Sequence, residues 1–262
     1  MSTVADIRAF LQTLAPEHTA AQWDHVGLLC GRSDRTVTRV LVALDPSPAA
    51  CEEAAALDCQ LLVTHHPLIW KLDRVTEETD TGRRLLFLIE HGIAALNAHT
   101  NLDVVPGGVN DVLAAQLGLR NVTVIDPEGT GGAGRPYGLL RGGAVAPQEP
   151  GVFALHVRDA LACPGVRYVL GAGTVRRVAV GGGSCSDALE RVAALGYDAF
   201  VTADCKYHRF CDAQALGLTL IDAGHFETED PVCPVVAQKL REAFPDLTVF
   251  VSKNHTDCIK FA

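Results

Sequence analysis

Leu61-Leu62-Val63-Thr64-His65-His66-Pro67 is the stretch whose reading decides the fold. Its apolar residues show no polar alternation, so the run reads as a strand buried on both faces, as in a parallel sheet covered by helices. Two histidines and a proline close it at the C-terminal end, where ligands collect in open α/β sheets. Two other stretches have the same form. Ala94-Ala95-Leu96-Asn97-Ala98-His99-Thr100-Asn101-Leu102-Asp103 is one, and Leu218-Thr219-Leu220-Ile221-Asp222-Ala223-Gly224-His225-Phe226-Glu227-Thr228-Glu229 is the other. Each presents imidazoles and carboxylates where a buried strand ends.

Outward from these stretches the chain alternates strands with amphipathic helices. Ser2 or Thr3 caps a helix with Val4, Ile7, Phe10, Leu11 and Leu14 on its apolar face, and Pro16 ends it. Strands are expected over 37–44, 61–64, 93–98, 122–125, 137–141, 166–170 and 247–252. Helices are expected over 48–58, 79–91, 109–118, 150–161 and 230–243. The first half then recurs. Arg39-Val40-Leu41-Val42 matches Arg177-Val178-Ala179-Val180, and residues 54–64 match 192–202, both at an offset of 138. Ala98-His99 with Asp103 matches Gly224-His225 with Glu229 at an offset of 126. The expected fold class is therefore α/β: two similar halves from an internal duplication, mixed but mostly parallel sheets flanked by helices, and a metal site between them. Residues 1–126 form the first half and 137–262 the second, with 127–136 as linker and the C-terminal segment free to pack on the first half. The stretch 126–136 is rich in glycine and punctuated by proline. It has no lysine and no Gly-Lys-Ser/Thr ending, so it is not read as a phosphate-binding loop.

Composition sets outer bounds. The chain has 262 residues, 48% hydrophobic and 20% charged, enough for a sizeable core. A net charge of −9 argues against direct nucleic-acid binding, which needs a basic face. Nine cysteines, an odd number with no Cys-x-x-Cys pair, argue against a disulfide framework and for a reducing, cytoplasmic setting. No signal peptide is read at the start, and no run reaches the roughly 20 apolar residues of a membrane span.

Five residues form the expected ligand set: His65, His66, Asp103, His225 and Glu229. Adjacent strand residues point to opposite faces, so His65 and His66 serve one site only if the chain turns there, as Pro67 favours. A histidine at a strand end and a carboxylate four residues later, as the next helix starts, face one point. Imidazole with carboxylate suits zinc, iron, manganese, cobalt or nickel. A catalytic zinc usually takes three protein ligands, so five suit two divalent ions per chain with open positions for water. Asp204 stands where the repeat puts His66. Lys206 could meet a phosphate and His208 could move a proton; the plainer reading is a helix start with Asp204 as its cap.

Trp23-Asp24-x-Val26-Gly27-Leu28, Thr64-His65-His66-Pro67, Ala98-His99-Thr100-Asn101-Leu102-Asp103, Thr202-x-Asp204-x-Lys206-Tyr207-His208 and Gly224-His225-x-x-Thr228-Glu229 together resemble the Nif-three-like family, often labelled GTP cyclohydrolase I type 2. The resemblance covers nearly the whole chain. It implies a toroidal homohexamer whose metal pairs face an internal cavity, holding a small-molecule substrate that could be a nucleotide. It also implies the same five ligands, with His99 beside them as an auxiliary ligand. His99, Asp204, Lys206 and His208 are the expected catalytic residues, the last three from the repeat and their own chemistry. His25 stands where the family usually has Asn, Ala203 where it often has Gly, and the domain that longer members insert is absent. Three functions follow as alternatives: a dinuclear metal-dependent hydrolase, including ring opening of GTP by a metal-bound hydroxide; a non-enzymatic metal-handling or metal-delivery protein; and a regulatory interaction scaffold.

Overall fold

The computed structural model of the protein describes residues 1–131 and 134–262. The chain packs as two units, Met1–Leu102 with Val232–Thr256, and Asp103–Pro231 with Asp257–Ala262. It first passes from one to the other inside the short helix Thr100–Val104, not in the glycine-rich stretch read as a linker. That stretch lies in the second unit, where Gly129–Thr130 pairs with Pro136–Tyr137 as a small antiparallel hairpin. Gly132 and Ala133 of the expected linker lie outside the described residues.

The sheet-forming strands, in chain order, are β1 Gly27–Cys30, β2 Arg39–Ala43, β3 Leu61–Thr64, β4 Ala94–Asn97, β5 Arg120–Ile125, β6 Leu140–Gln148, β7 Arg167–Val169, β8 Val175–Val180, β9 Ala199–Thr202, β10 Thr219–Asp222 and β11 Thr248–Val251. In the first unit they lie in the order β11-β2-β3-β4-β1, parallel except for β1 against β4. In the second unit the order is β7-β10-β9-β8-β6-β5. There β8, β9 and β10 run parallel, while β7, β6 and β5 pair antiparallel, so this sheet is more mixed than the first. Val40 faces Leu61 and Val178 faces Ala199, pairs that stand 138 residues apart. In the third strands Asn97 faces Thr64 and Asp222 faces Thr202.

Local chemistry explains the elements. Thr3 caps helix Val4–Leu14 in a capping box with Asp6. Ser47 accepts from the Ala50 amide ahead of helix Pro48–Ala56, and Thr79 from the Gly82 amide ahead of Asp80–Glu90. β6 runs well past the expected end at residue 141. Gly142 and Gly143 weaken the strand signal there, yet Gly142 is what lets the Tyr197 ring lie against the strand. Leu41, Leu62, Leu88 and Ile93 are buried in the first unit, and Phe153, Val178, Val201 and Ile221 in the second. Each such side chain contributes about 1.5–3 kcal/mol on burial. All nine cysteines are free thiols, and no helix among the described residues is long and apolar enough to cross a membrane.

Candidate metal centre

Each unit carries its own set of donor groups: His65, His66 and His99 follow β3 and β4 in the first, and His225 and Glu229 follow β10 in the second, which also holds Asp103 of helix Thr100–Val104. In the first unit β3 ends at Thr64, and the chain turns as expected. The His65 and His66 amides continue the pairing to Ala43 and Leu44 for two more residues, at 3.3 and 2.9 Å. The Thr64 hydroxyl donates to the His66 carbonyl at 2.7 Å and holds the turn. The two adjacent rings thus come together, with centroids 5.1 Å apart, and His99 joins them at 5.1 and 5.6 Å. The three imidazoles offer nitrogens that all lie within 4.8 Å of one another.

The tautomers follow from the partners. Nδ1 of His65 donates to the Ala98 carbonyl at 2.9 Å, since a carbonyl can only accept. Nδ1 of His66 donates to Asp45 at 2.6 Å, and Nδ1 of His99 to Asp24 at 2.9 Å. In each neutral ring the lone pair then sits on Nε2. Histidines that bind metals are oriented in this way, by a carbonyl or carboxylate on the opposite nitrogen. The Asp24 side chain is covered and also accepts from the Thr100 amide and hydroxyl at 3.1 and 2.6 Å. Burial alone would raise its carboxyl, but the bonds from His99 and Thr100 outweigh that and hold it at about 2.

In the second unit His225 opens helix His225–Glu229, directly after the Gly224 turn. Its Nδ1 donates to Asp204 at 2.8 Å, and its Nε2 lies 3.0 Å from a Glu229 carboxylate oxygen. Carboxylate oxygens of Asp103 and Glu229 lie within 4.8 Å of each other. The helix is held from below. The Thr228 hydroxyl accepts from the Gly183 amide at 3.0 Å, and the Asn110 side chain donates to the Asp103 carbonyl at 3.2 Å and accepts from the Gly182 amide at 2.7 Å. Cys185 is close by, but burial and then the charges of Asp103 and Glu229 push its thiol up, so it stays protonated. The donor set is nitrogen and oxygen, which fits zinc, iron, manganese, cobalt or nickel.

Asp204 does not cap the helix after it. Lys206 holds that position with no side-chain bond, while Asp204 sits in the left-handed region at φ 54° and orients His225. Lys206 and His208 are exposed at the start of helix Tyr207–Leu216. Sequence reasoning passed over Asp45, Asn110 and Gly183. The run Gly181-Gly182-Gly183 at the end of β8 was the available signal, a fourth strand end with room for side chains above it. A Cβ on Gly183 would collide with the Glu229 carboxylate and come within 3.2 Å of His225 Nε2, and the backbone there has φ +61°. Gly183→Ala is therefore expected to cost about 1–2 kcal/mol through the backbone alone. The displaced Glu229 would also lower metal uptake, and chemical denaturation with and without added zinc reads the two effects separately.

A family model described as Duf34/NIF3 (NGG1p interacting factor 3) matches residues 2–258. The chain belongs to the DUF34/NIF3 family. Among DUF34/NIF3 relatives, a Streptomyces coelicolor protein is 40% identical over 98% of this chain and 93% of its own length. A Clostridium perfringens protein is 32% identical over 98% of both chains. Both relatives are named GTP cyclohydrolase 1 type 2 homolog. Among solved structures, a Bacillus cereus protein related to NIF3 superposes with a TM-score of 0.94 at 25% identity, covering 100% of this chain and 99% of that one. Reduced HcgD from Methanocaldococcus jannaschii superposes with a TM-score of 0.80 at 26% identity, covering 96% and 98%.

Proposed function

We propose that the two donor sets serve one dinuclear metal centre, held by His65, His66, Asp103, His225 and Glu229, and that the protein is a metal-dependent hydrolase. One observation carries this reading: His65, His66, His99 and His225 each have Nδ1 engaged by a carbonyl or carboxylate, the arrangement that prepares Nε2 for a metal. Divalent ions bound there would supply Lewis acidity and make water acidic enough to ionise near neutral pH. The chain's own residues have distinct roles in this reading. Asp45, Asp24 and Asp204 fix the rings. His99 is an auxiliary group beside the ligands, Lys206 meets a substrate phosphate, and His208 moves a proton. The names of the relatives suggest GTP as substrate, opened at its imidazole ring by addition of water and cleavage of a carbon–nitrogen bond. The same reading includes an internal duplication, a homohexamer with an internal cavity for a small molecule, and a cytoplasmic location.

Elemental analysis tests it. Wild-type protein should hold about two transition-metal ions per chain, and His65→Ala/Glu229→Ala should lose them. GTP turnover should vanish in His65→Ala while the oligomer persists. An absence of bound metal after reconstitution would overturn the proposal. Bound metal that passes to an acceptor protein, with no turnover of GTP or of cyclic amides, would favour metal delivery over hydrolysis.

A further inference from the structure

The chain has two tryptophans, Trp23 and Trp70, and both stand in the first unit next to the histidine cluster. Their rings stack on one another, centroids 6.3 Å apart at an interplanar angle of 20°. Both meet the His99 ring edge-on, Trp70 at 5.2 Å and Trp23 at 6.0 Å. Yet Trp23 is 63% exposed and Trp70 53% exposed. An indole has a large apolar surface and is usually well covered, so two together in the open beside a polar cluster point to an interaction site.

Neither ring hangs on slack chain. Trp23 precedes Asp24, whose buried carboxylate is tied to His99, Thr100 and the His25 amide. Trp70 follows Leu68, which is buried, and Ile69, which packs on the first unit's core. The fold thus fixes the backbone on the buried side and leaves the ring faces to solvent.

We infer that Trp23 and Trp70 form a stacking platform for a planar heteroaromatic ring and hold it beside the histidine cluster. Two nearly parallel indoles present flat faces, on which another flat ring can lie in the offset-stacked arrangement that aromatic pairs prefer. A ring held between them would need about 7 Å, two carbon–carbon contact distances of about 3.5 Å; the centroids are 6.3 Å apart, so the guest lies on an outer face of the pair. A nucleic-acid strand would need a basic groove as well, and the net charge of −9 argues against one. The inference deepens the hydrolase reading by naming the substrate class, and it rests on that reading only in calling the ring a substrate. Stacking itself needs no metal, so the test can be run without one.

Because both tryptophans lie here, the protein's tryptophan fluorescence reports this site alone. Full-length protein freed of metal with chelator is titrated with guanosine, pterin and nicotinamide, and with ribose 5-phosphate as the non-aromatic control. Excitation is set at the red edge of the indole band, where guanosine does not absorb. Saturable quenching by at least one ring and none by ribose 5-phosphate is expected. Affinity should fall about tenfold or more in Trp70→Leu and Trp23→Leu, where the remaining indole still reports, and should be largely kept in Trp70→Phe. No saturable quenching by any of the three rings would overturn the inference. So would equal affinity in the leucine variants, or indoles that acrylamide cannot reach, which would show the pair covered by a second copy of the chain. If the protein proves to bind no metal, the hydrolase reading fails while this titration still decides the platform.

Discussion

Arg141→Leu is expected to lower the free energy of unfolding by about 2–4 kcal/mol, because a buried charged donor to several carbonyls is removed and those acceptors are left short. Arg141 is 1% exposed and is among the largest fully buried side chains of the described residues. Its guanidinium pairs with Asp111 and donates to the carbonyls of Gly138, Leu140, Val104 and Val105. Leucine would fill much of the volume but leave that carboxylate without its counter-charge and the carbonyls short of donors. Asp111 also accepts from the Gly107 amide at 2.6 Å, so the pair fastens the segment that follows Asp103. Urea unfolding of chelator-treated protein measures the loss. Arg141→Leu/Asp111→Leu should recover part of it, because no lone charge then remains. A single-variant loss below about 1 kcal/mol would mean that this network is not what holds the segment.

Asp24→Ala is the second large effect, about 2–4 kcal/mol, since one buried carboxylate oxygen accepts from three donors. Alanine would leave the Thr100 amide, the Thr100 hydroxyl and His99 Nδ1 short of a part-buried acceptor. Asp24→Asn keeps the shape and one acceptor oxygen, so about half of that loss is expected. Thermal unfolding gives the stability change. Nitrogen NMR shifts of the His99 ring give the local one: the proton should leave its fixed place on Nδ1 in the alanine variant. An unchanged His99 spectrum would show that Asp24 does not set that tautomer.

Much of the fold was legible because its signals are local. The run Leu61–Thr64 and the repeated Ala/Val segments read as buried strands from their own composition, and they are. The cap of the first helix was legible too, as Ser2 or Thr3, and Thr3 holds it. The glycine-rich stretch was less legible, because glycine signals backbone freedom without saying what the freedom is for. Here Gly129 and Thr130 of the stretch stand in a strand that pairs with Pro136 and Tyr137. β6 was cut short for a related reason. Gly142 weakens a strand in isolation, and only the ring of Tyr197, distant in sequence, explains its place.

The site divides along the same line. The histidines and carboxylates at the strand ends could be named from the sequence, because apolar runs closed by His, Asp and Glu are a pattern of neighbours along the chain. The partners that set each imidazole could not. Ala98 is 33 residues from His65, Asp45 is 21 from His66, Asp24 is 75 from His99 and Asp204 is 21 from His225. Nor could the sequence show that Gly183 leaves room for Glu229, or that both tryptophans share one exposed stack. Local composition determined which residues end the strands. The tertiary structure alone decided which nitrogen of each ring carries the proton, because that choice belongs to an acceptor brought in by the packing of other strands and loops.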